Sequence, residues 1–394
     1  MAKRANGEGT SYFDEKRKIW IHEISYLNYD TGKKSRKKFA GKTQKEAIAK
    51  GKEFKKSINN GLIPTAGKIK VGEWIDCWLN DYLKNKVRPR TWEKYKSSIN
   101  CYIKSKYQHT LLKDLKGPDL QRHFNELLVS GGKEKSGISS STVRGCRRYF
   151  SMCLDCAIKA GLLEKNVVKL TDSPKLIKKE IITLSPENIK LLIENAKNIS
   201  NNFYINTMFP MLLELAISTG MRQGELLGLK WDDIDFTEKC IYVRRSLTFV
   251  IGRKFLFQEP KTLTSRRRIL LTEKSVSLLV IYKNWQDNYA LELGNSFEKM
   301  DLVFPGVFGQ PIYASNLIKR YFRPLVKISN ISEDFTFHSL RHTHATLLLK
   351  QGVNPKIVQE RLGHSSIKMT MDIYSHVLPD MQNVAIKALD IIFD

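Results

Sequence analysis

Apolar positions along the chain change their period twice, which divides it into three stretches. Near the start, Lys18–Tyr26 and Ser35–Phe39 read as short strands joined by the turn Asn28-Tyr29-Asp30-Thr31-Gly32. A helix is predicted from about Lys45 to Asn59, with Ala47, Ala49, Phe54 and Ile58 on its buried face. Gly61 to Gly67, with Pro64 inside it, reads as a linker. From 68 to 170 the pattern is helical throughout. Trp74, Trp78 and Tyr82 recur at i, i+4 and i+8, and Thr91 to Ile103 carries Trp92, Tyr95, Ile99 and Ile103 between lysines. Pro118–Val129 and Ser141–Ala160 continue it, and Gly161 ends the last helix. Thr171–Lys179, with Pro174 and several lysines, resembles a second linker.

From about Ile181 strands and helices mix. Ser185-Pro186-Glu187 is a helix start: an N-cap, Pro at the first helical position, then an acid. Met208–Thr219 is a strongly apolar helix stopped by Gly220. Cys240–Arg244, Lys254–Gln258 and Arg268–Leu271 predict a small antiparallel sheet. The remainder reads as helices, down to a final apolar stretch, Val384–Phe393, and no internal repeat is visible.

A length of 394 residues exceeds one ordinary core and suggests two or three domains. An apolar fraction of 42%, with 18 Phe, 15 Tyr and 6 Trp, excludes disorder for the bulk. No stretch approaches the roughly 18 to 20 apolar residues of a bilayer span. The opening Met-Ala-Lys-Arg-Ala-Asn-Gly-Glu-Gly has no apolar core, so the expectation is a soluble protein without a secretory signal, kept inside the cell.

Charge sharpens this. Lys plus Arg number 66 against 40 Asp plus Glu, a net charge of +26, which favours nucleic acid as partner and an acidic membrane surface second. Residues 1–66 alone hold 16 basic against 7 acidic side chains. A basic sheet backed by a helix suits a DNA groove, with Lys34, Arg36 and Lys37 as candidate contacts; a solubilising cap is the plainer reading. In the helical stretch Lys94 and the trio Arg144, Arg147 and Arg148, beside Tyr149, are candidates for the phosphate backbone, against a merely solvated face. Cys153 and Cys156 form the only C-x-x-C, lying inside a helix without a second pair or nearby His, and read as two core thiols.

Five of the eight His fall between 338 and 376, which directs attention to the C-terminal segment. His338 and Arg341 stand i, i+3 at the start of a helix that runs to Lys350, where free backbone amides already favour an anion. Arg222 and Glu225 repeat that spacing after Gly220; an acid one turn beyond an Arg orients the guanidinium for bidentate phosphate binding. Lys261 lies between two predicted strands, and Arg361-Leu362-Gly363-His364-Ser365 precedes Tyr374 by about ten residues. Alone, each has an ordinary reading: a surface ion pair, a satisfied buried imidazole, a core tyrosine. His338, His342 and His344 have a spacing that chelates metal, but no Glu or Cys completes a site, so no metal is expected.

Taken in order and spacing, Arg222, Lys261, His338-x-x-Arg341, Leu362-Gly363-His364 and Tyr374 resemble the signature of the tyrosine recombinase (phage integrase) family. The resemblance is strong over 181–394, and the helical stretch looks like that family's core-binding domain. Residues 1–66 resemble the arm-binding domain of integrases from phages and conjugative transposons. It implies a multidomain fold: a small α+β arm-binding domain at 1–66 (three-stranded sheet plus helix), an all-α core-binding domain at 67–170, a linker at 171–182, and a mainly α catalytic domain at 183–394 with a small antiparallel sheet and a tail helix at 381–394.

It also implies that Tyr374 attacks a DNA phosphodiester, that Arg222 and Arg341 clamp the non-bridging oxygens, and that Lys261 protonates the 5′-oxygen. His338 would assist proton transfer, His364 would bond the phosphate, and Glu225 would brace Arg222. The chemistry requires no metal and no nucleotide cofactor, because the phosphotyrosyl bond preserves the energy of the broken phosphodiester. Implied partners are double-stranded DNA at core and arm attachment sites, three further copies in a tetramer joined through the C-terminal tail, an excision factor and a host DNA-bending protein. The implied setting is the bacterial cytoplasm, on the nucleoid. A type IB topoisomerase, a non-catalytic DNA-binding protein and a metal-dependent transposase remain as competing readings. Relaxation without joining of two sites would favour the first, a missing catalytic residue the second, and loss of activity in EDTA the third.

Overall fold

A computed structural model describes residues 9–28, 33–59, 68–132, 136–176, 180–250, 253–259, 266–364, 366–367, 371, 386, 389–390 and 392–393. The chain divides into two compact units, Met1–Lys178 and Lys179–Asp394.

The first unit opens with an antiparallel sheet of order β1-β2-β3, formed by Thr10–Asp14, Ile19–Asn28 and Lys33–Gly41. Helix α1, Gln44–Asn59, covers one face: Ala47 is fully buried, and the Phe54 ring meets Tyr26 and Phe39 at centroid distances of 5.3 and 5.1 Å. The helical part follows as α2 (Val71–Cys77), α3 (Pro89–Ile99), α4 (Ser105–Tyr107), α5 (Gly117–Ser130) and α6 (Ser140–Lys159). Pro89 and Pro118 start their helices where a missing N–H costs nothing, and the Ser139 hydroxyl caps α6 by accepting from the Thr142 amide. Trp74 and Trp78 reach the core at 4% and 3% exposure, while Tyr82 remains at its edge. Cys153 is fully buried and Cys156 only half-buried, so one of the two predicted core thiols lies at the margin.

The second unit is built around α8 (Phe203–Thr219), flanked by α7 (Pro186–Ala196) and by the short α9 (Gln223–Leu227). Ser185 caps α7 as its sequence predicts, accepting from the Asn188 amide at 3.2 Å. Where the sequence suggests one small sheet, the described residues of this unit hold two. Strands β4 (Ile234–Asp235), β5 (Cys240–Val243) and β8 (Arg267–Leu270) form one in that order. Strands β6 (Ser246–Val250) and β7 (Arg253–Gln258) form a separate hairpin. The near neighbour Ser246–Val250, unmarked in the sequence pattern, captures β7 because a short hairpin closes at little entropic cost. Helix α10 (Glu273–Leu293) packs on α8, followed by α11 (Ala314–Asn316) and α12 (Arg323–Ile328). Then come α13 (Phe337–Lys350), which packs on α8, and α14 (Pro355–Leu362). Among the described residues no helix is long and apolar enough to cross a membrane.

Candidate active site

The site begins where α8 stops. Gly220 takes a left-handed conformation (φ 65°), and a Cβ there would stand 2.6 Å from the His344 ring and 2.8 Å from Leu362. This glycine turns the chain so that Arg222 becomes the N-cap of α9 and Glu225 its third residue. Glu225 Oε2 accepts from the Arg222 amide at 2.9 Å and Oε1 accepts from Arg222 Nη1 at 2.8 Å. Glu225 is 4% exposed, whereas the Arg222 side chain stays 37% exposed. Nη1 of the guanidinium is tethered to the buried carboxylate while the side chain keeps an accessible face.

Helix α13 brings the second arginine. Arg341 is 2% exposed and donates from Nη1 to the Gly220 carbonyl at 2.8 Å and from Nη2 to the Leu362 carbonyl at 2.7 Å. One turn earlier, the His338 ring, partly accessible but hemmed in by its neighbours, meets the His342 ring edge-on at 4.8 Å. His364 follows α14; its amide and carbonyl are both tied to Gln359. The α14 end is close to α9, since Arg222 Nη2 donates to the Gly363 carbonyl at 3.2 Å. Arg222, His338, Arg341 and His364 thus lie together in one cluster.

Burial, followed by the charges of Arg341 and Arg222, lowers the pKa of His338 and brings that of His364 down to about 3. Burial and then His338 take His342 down to about 4. Lowered from the ordinary value, all three rings are neutral near pH 7. Burial alone would raise the Glu225 carboxyl, but hydrogen bonds and charge from Arg267, with the charge of Arg222, hold it down to about 2. Glu225 is therefore a permanent anion that pins Arg222.

Three participants escape a reading of the sequence. Arg267, 5% exposed, grips Glu225 with both terminal nitrogens, at 2.8 and 3.2 Å. The signal for it is strand alternation: Arg267 shares a face of β8 with the buried Ile269. His344, whose spacing suggests only a metal ligand, is a buried brace. It pairs with the Ile217 carbonyl through Nδ1 and accepts from Arg361 at Nε2. Since a guanidinium only donates, the proton sits on Nδ1. Arg361 also donates to the Ser218 carbonyl. Among the described residues, no group of three or more His, Cys, Asp or Glu has the arrangement of a metal site.

Lys261 and Tyr374 lie outside the described residues. The other basic candidates separate. Lys34, Arg36, Lys37, Lys94, Arg144 and Arg148 are exposed. Lys37 stands on the α1 side of β3, opposite Arg36, with its ammonium 4.1 Å from the Phe54 ring centre. Arg147 is turned into its own unit, donating to the Thr171 hydroxyl at 2.8 Å and to the Val168 carbonyl at 3.2 Å.

Comparison with known proteins points one way. The model of the phage integrase family matches residues 183–381, and that of a phage integrase N-terminal SAM-like domain matches 54–128. A tyrosine recombinase XerC-like protein of Caldanaerobacter subterraneus subsp. tengcongensis is 33% identical over 100% of both chains. The ICEBs1 integrase of Bacillus subtilis is 26% identical over 91% of this chain and 93% of its own. Among solved structures, the Tn1549 transposon integrase in complex with transposon right end DNA shares the fold with a TM-score of 0.65. That match covers 82% of this chain and 100% of the other at 22% identity. A lambda integrase dimer bound to a core site matches with a TM-score of 0.57, over 94% and 96% of the two chains at 20% identity.

Proposed function

The chain belongs to the phage integrase family, enzymes that cleave and rejoin DNA, and from that membership we propose how its own residues do so. It is the site-specific recombinase of a mobile element, integrating and excising it by sequential strand exchange. The observation that carries this reading is the tethered pair of guanidiniums, Arg222 and Arg341, with a neutral imidazole at His338 beside them. Two forked cations held by buried partners suit the non-bridging oxygens of a phosphodiester, where negative charge grows as a fifth oxygen approaches phosphorus.

Tyr374 Oη attacks phosphorus, His338 takes its proton, and the bond to the 5′-oxygen breaks. Lys261 protonates that leaving oxygen, and His364 bonds the phosphate. The product is a 3′-phosphotyrosyl link and a free 5′-hydroxyl, and attack by the partner strand's 5′-hydroxyl reverses the step. Bond energy is conserved, so neither metal nor ATP is needed. Glu225 keeps Arg222 aimed.

The domains share the substrate: 1–66 grips arm-type sites, 67–170 the core site, 171–182 links, and 183–394 cuts. Four copies assemble on DNA, the 381–394 tail of each docking on the next. A host DNA-bending protein and an excision factor set direction, in the bacterial cytoplasm on the nucleoid. Trapping on a nicked suicide duplex of the core site tests this. Wild-type protein becomes covalently attached, and Tyr374→Phe binds equally well without attachment. A Phe variant that still traps DNA sinks the assignment of the nucleophile.

A further inference from the structure

Three consecutive backbone carbonyls at the C-terminal end of α14 are each taken by a different arginine. Arg267 Nε donates to the Arg361 carbonyl at 2.7 Å, Arg341 Nη2 to Leu362 at 2.7 Å, and Arg222 Nη2 to Gly363 at 3.2 Å. The last carbonyls of a helix lack intrahelical partners and carry the negative end of its dipole, so cations gather there. Two of the three have a role at the phosphate. Arg267 has none assigned to it; it donates hydrogen bonds to Glu225 and to the Arg361 carbonyl.

Its guanidinium bridges two segments. One edge holds Glu225, with Nη2 2.8 Å from Oε2 and Nη1 3.2 Å from Oε1; Nε holds the end of α14. Glu225 in turn receives both the Arg222 amide and its Nη1. The carboxylate therefore has four donors, its full capacity, and two of them come from Arg267. Through this one planar group, the start of α9 and the turn that carries His364 share a rigid reference.

We propose that Arg267 is a positioning residue for strand cleavage, setting Arg222 and the His364 turn at one fixed separation around the scissile phosphate. This rests on the recombinase reading above. Lysine preserves the charge but not the fork, so it holds Glu225 or the Arg361 carbonyl, not both. A buried ion pair that serves folding alone would show no such geometric demand.

The test uses the full chain and a nicked suicide duplex carrying the element's core site, taken from the direct repeats that flank the element. Covalent trapping is timed in single turnover for wild type and Arg267→Lys. It is repeated on a duplex with a methylphosphonate at the scissile position, which removes the charge that Arg222 neutralises. With the natural phosphate, Arg267→Lys is expected to trap about 10- to 100-fold more slowly, the range met when the outer partner of a functional ligand is removed, at unchanged DNA affinity. With the methylphosphonate, the deficit should shrink severalfold, because less is asked of Arg222. Should the variant fold only in part, the ratio between the two substrates in one preparation still decides, since the active fraction cancels. Trapping at the wild-type rate, or an equal deficit on both substrates, overturns the proposal. If wild type traps no DNA through Tyr374, the recombinase reading falls and takes this with it. If wild type traps and the deficits are equal, Arg267 alone is misassigned.

Discussion

The carbonyl of Gly220 receives the Nη1 of Arg341 at 2.8 Å, so the residue that stops α8 also anchors the most deeply buried cation of the site. Stability and aim are joined at this hydrogen bond. Gly220→Ala places a Cβ 2.6 Å from the His344 ring in a backbone conformation that L-residues disfavour. Steric overpacking and the left-handed φ together should cost the catalytic unit about 2–5 kcal/mol. Urea denaturation of parent and variant measures it, and an unchanged midpoint would contradict the packing described.

On the proposed mechanism, replacing either Arg222 or Arg341 should separate binding from chemistry. Arg341→Lys has no fork with which to hold the Gly220 and Leu362 carbonyls while facing a phosphate. Cleavage should fall by about 10²–10³-fold, the effect of losing one preorganised donor to a transition-state oxyanion. DNA affinity, measured by gel shift, should change little, because many phosphate contacts share it. A loss of affinity equal to the loss of rate would place Arg341 in binding alone.

Acid should weaken the catalytic unit in two windows. His344 and His364 have folded pKa values of about 3, below the ordinary 6.5. A lowered folded value means that their contribution is fully present above pH 6.5 and lost as pH falls through the window down to about 3. Glu225, lowered to about 2 from 4.5, contributes fully above pH 4.5 and loses its share as pH falls towards 2. Denaturation midpoints should decline steadily below pH 6.5, and His344→Gln should flatten the upper window. A midpoint independent of pH between 6.5 and 4.5 would remove the case for buried neutral imidazoles.

The three arginines of α6 should behave differently. Arg147→Ala leaves the Val168 carbonyl and the Thr171 hydroxyl without their charged donor and should destabilise its unit by about 1–3 kcal/mol. Arg144→Ala and Arg148→Ala, at exposed positions, should leave stability unchanged and make DNA affinity less salt-dependent, by about one unit of log–log slope for each phosphate that is no longer neutralised. Equal salt slopes in all three variants would refute this division.

Much of the site is legible in the sequence because it depends on neighbours in the chain. Ser185 capping α7, Gly220 ending α8 and the i, i+3 pairs Arg222/Glu225 and His338/Arg341 are local events, and local spacing specifies them. The hairpin partner of β7 and the inward turn of Arg147 are not legible there, because both follow from where the chain meets itself in space.

The sequence by itself determined which groups are available for the reaction, and in what order: two arginines, histidines at helical spacing, and a glycine where the backbone must turn left-handed after α8. Tertiary structure alone decided their states. Burial and nearby guanidinium charge make the imidazoles neutral. Arg267, distant in sequence and plain in character, becomes the bracket between Glu225 and α14, because desolvation makes a charge depend on whichever partner the fold brings within hydrogen-bonding reach.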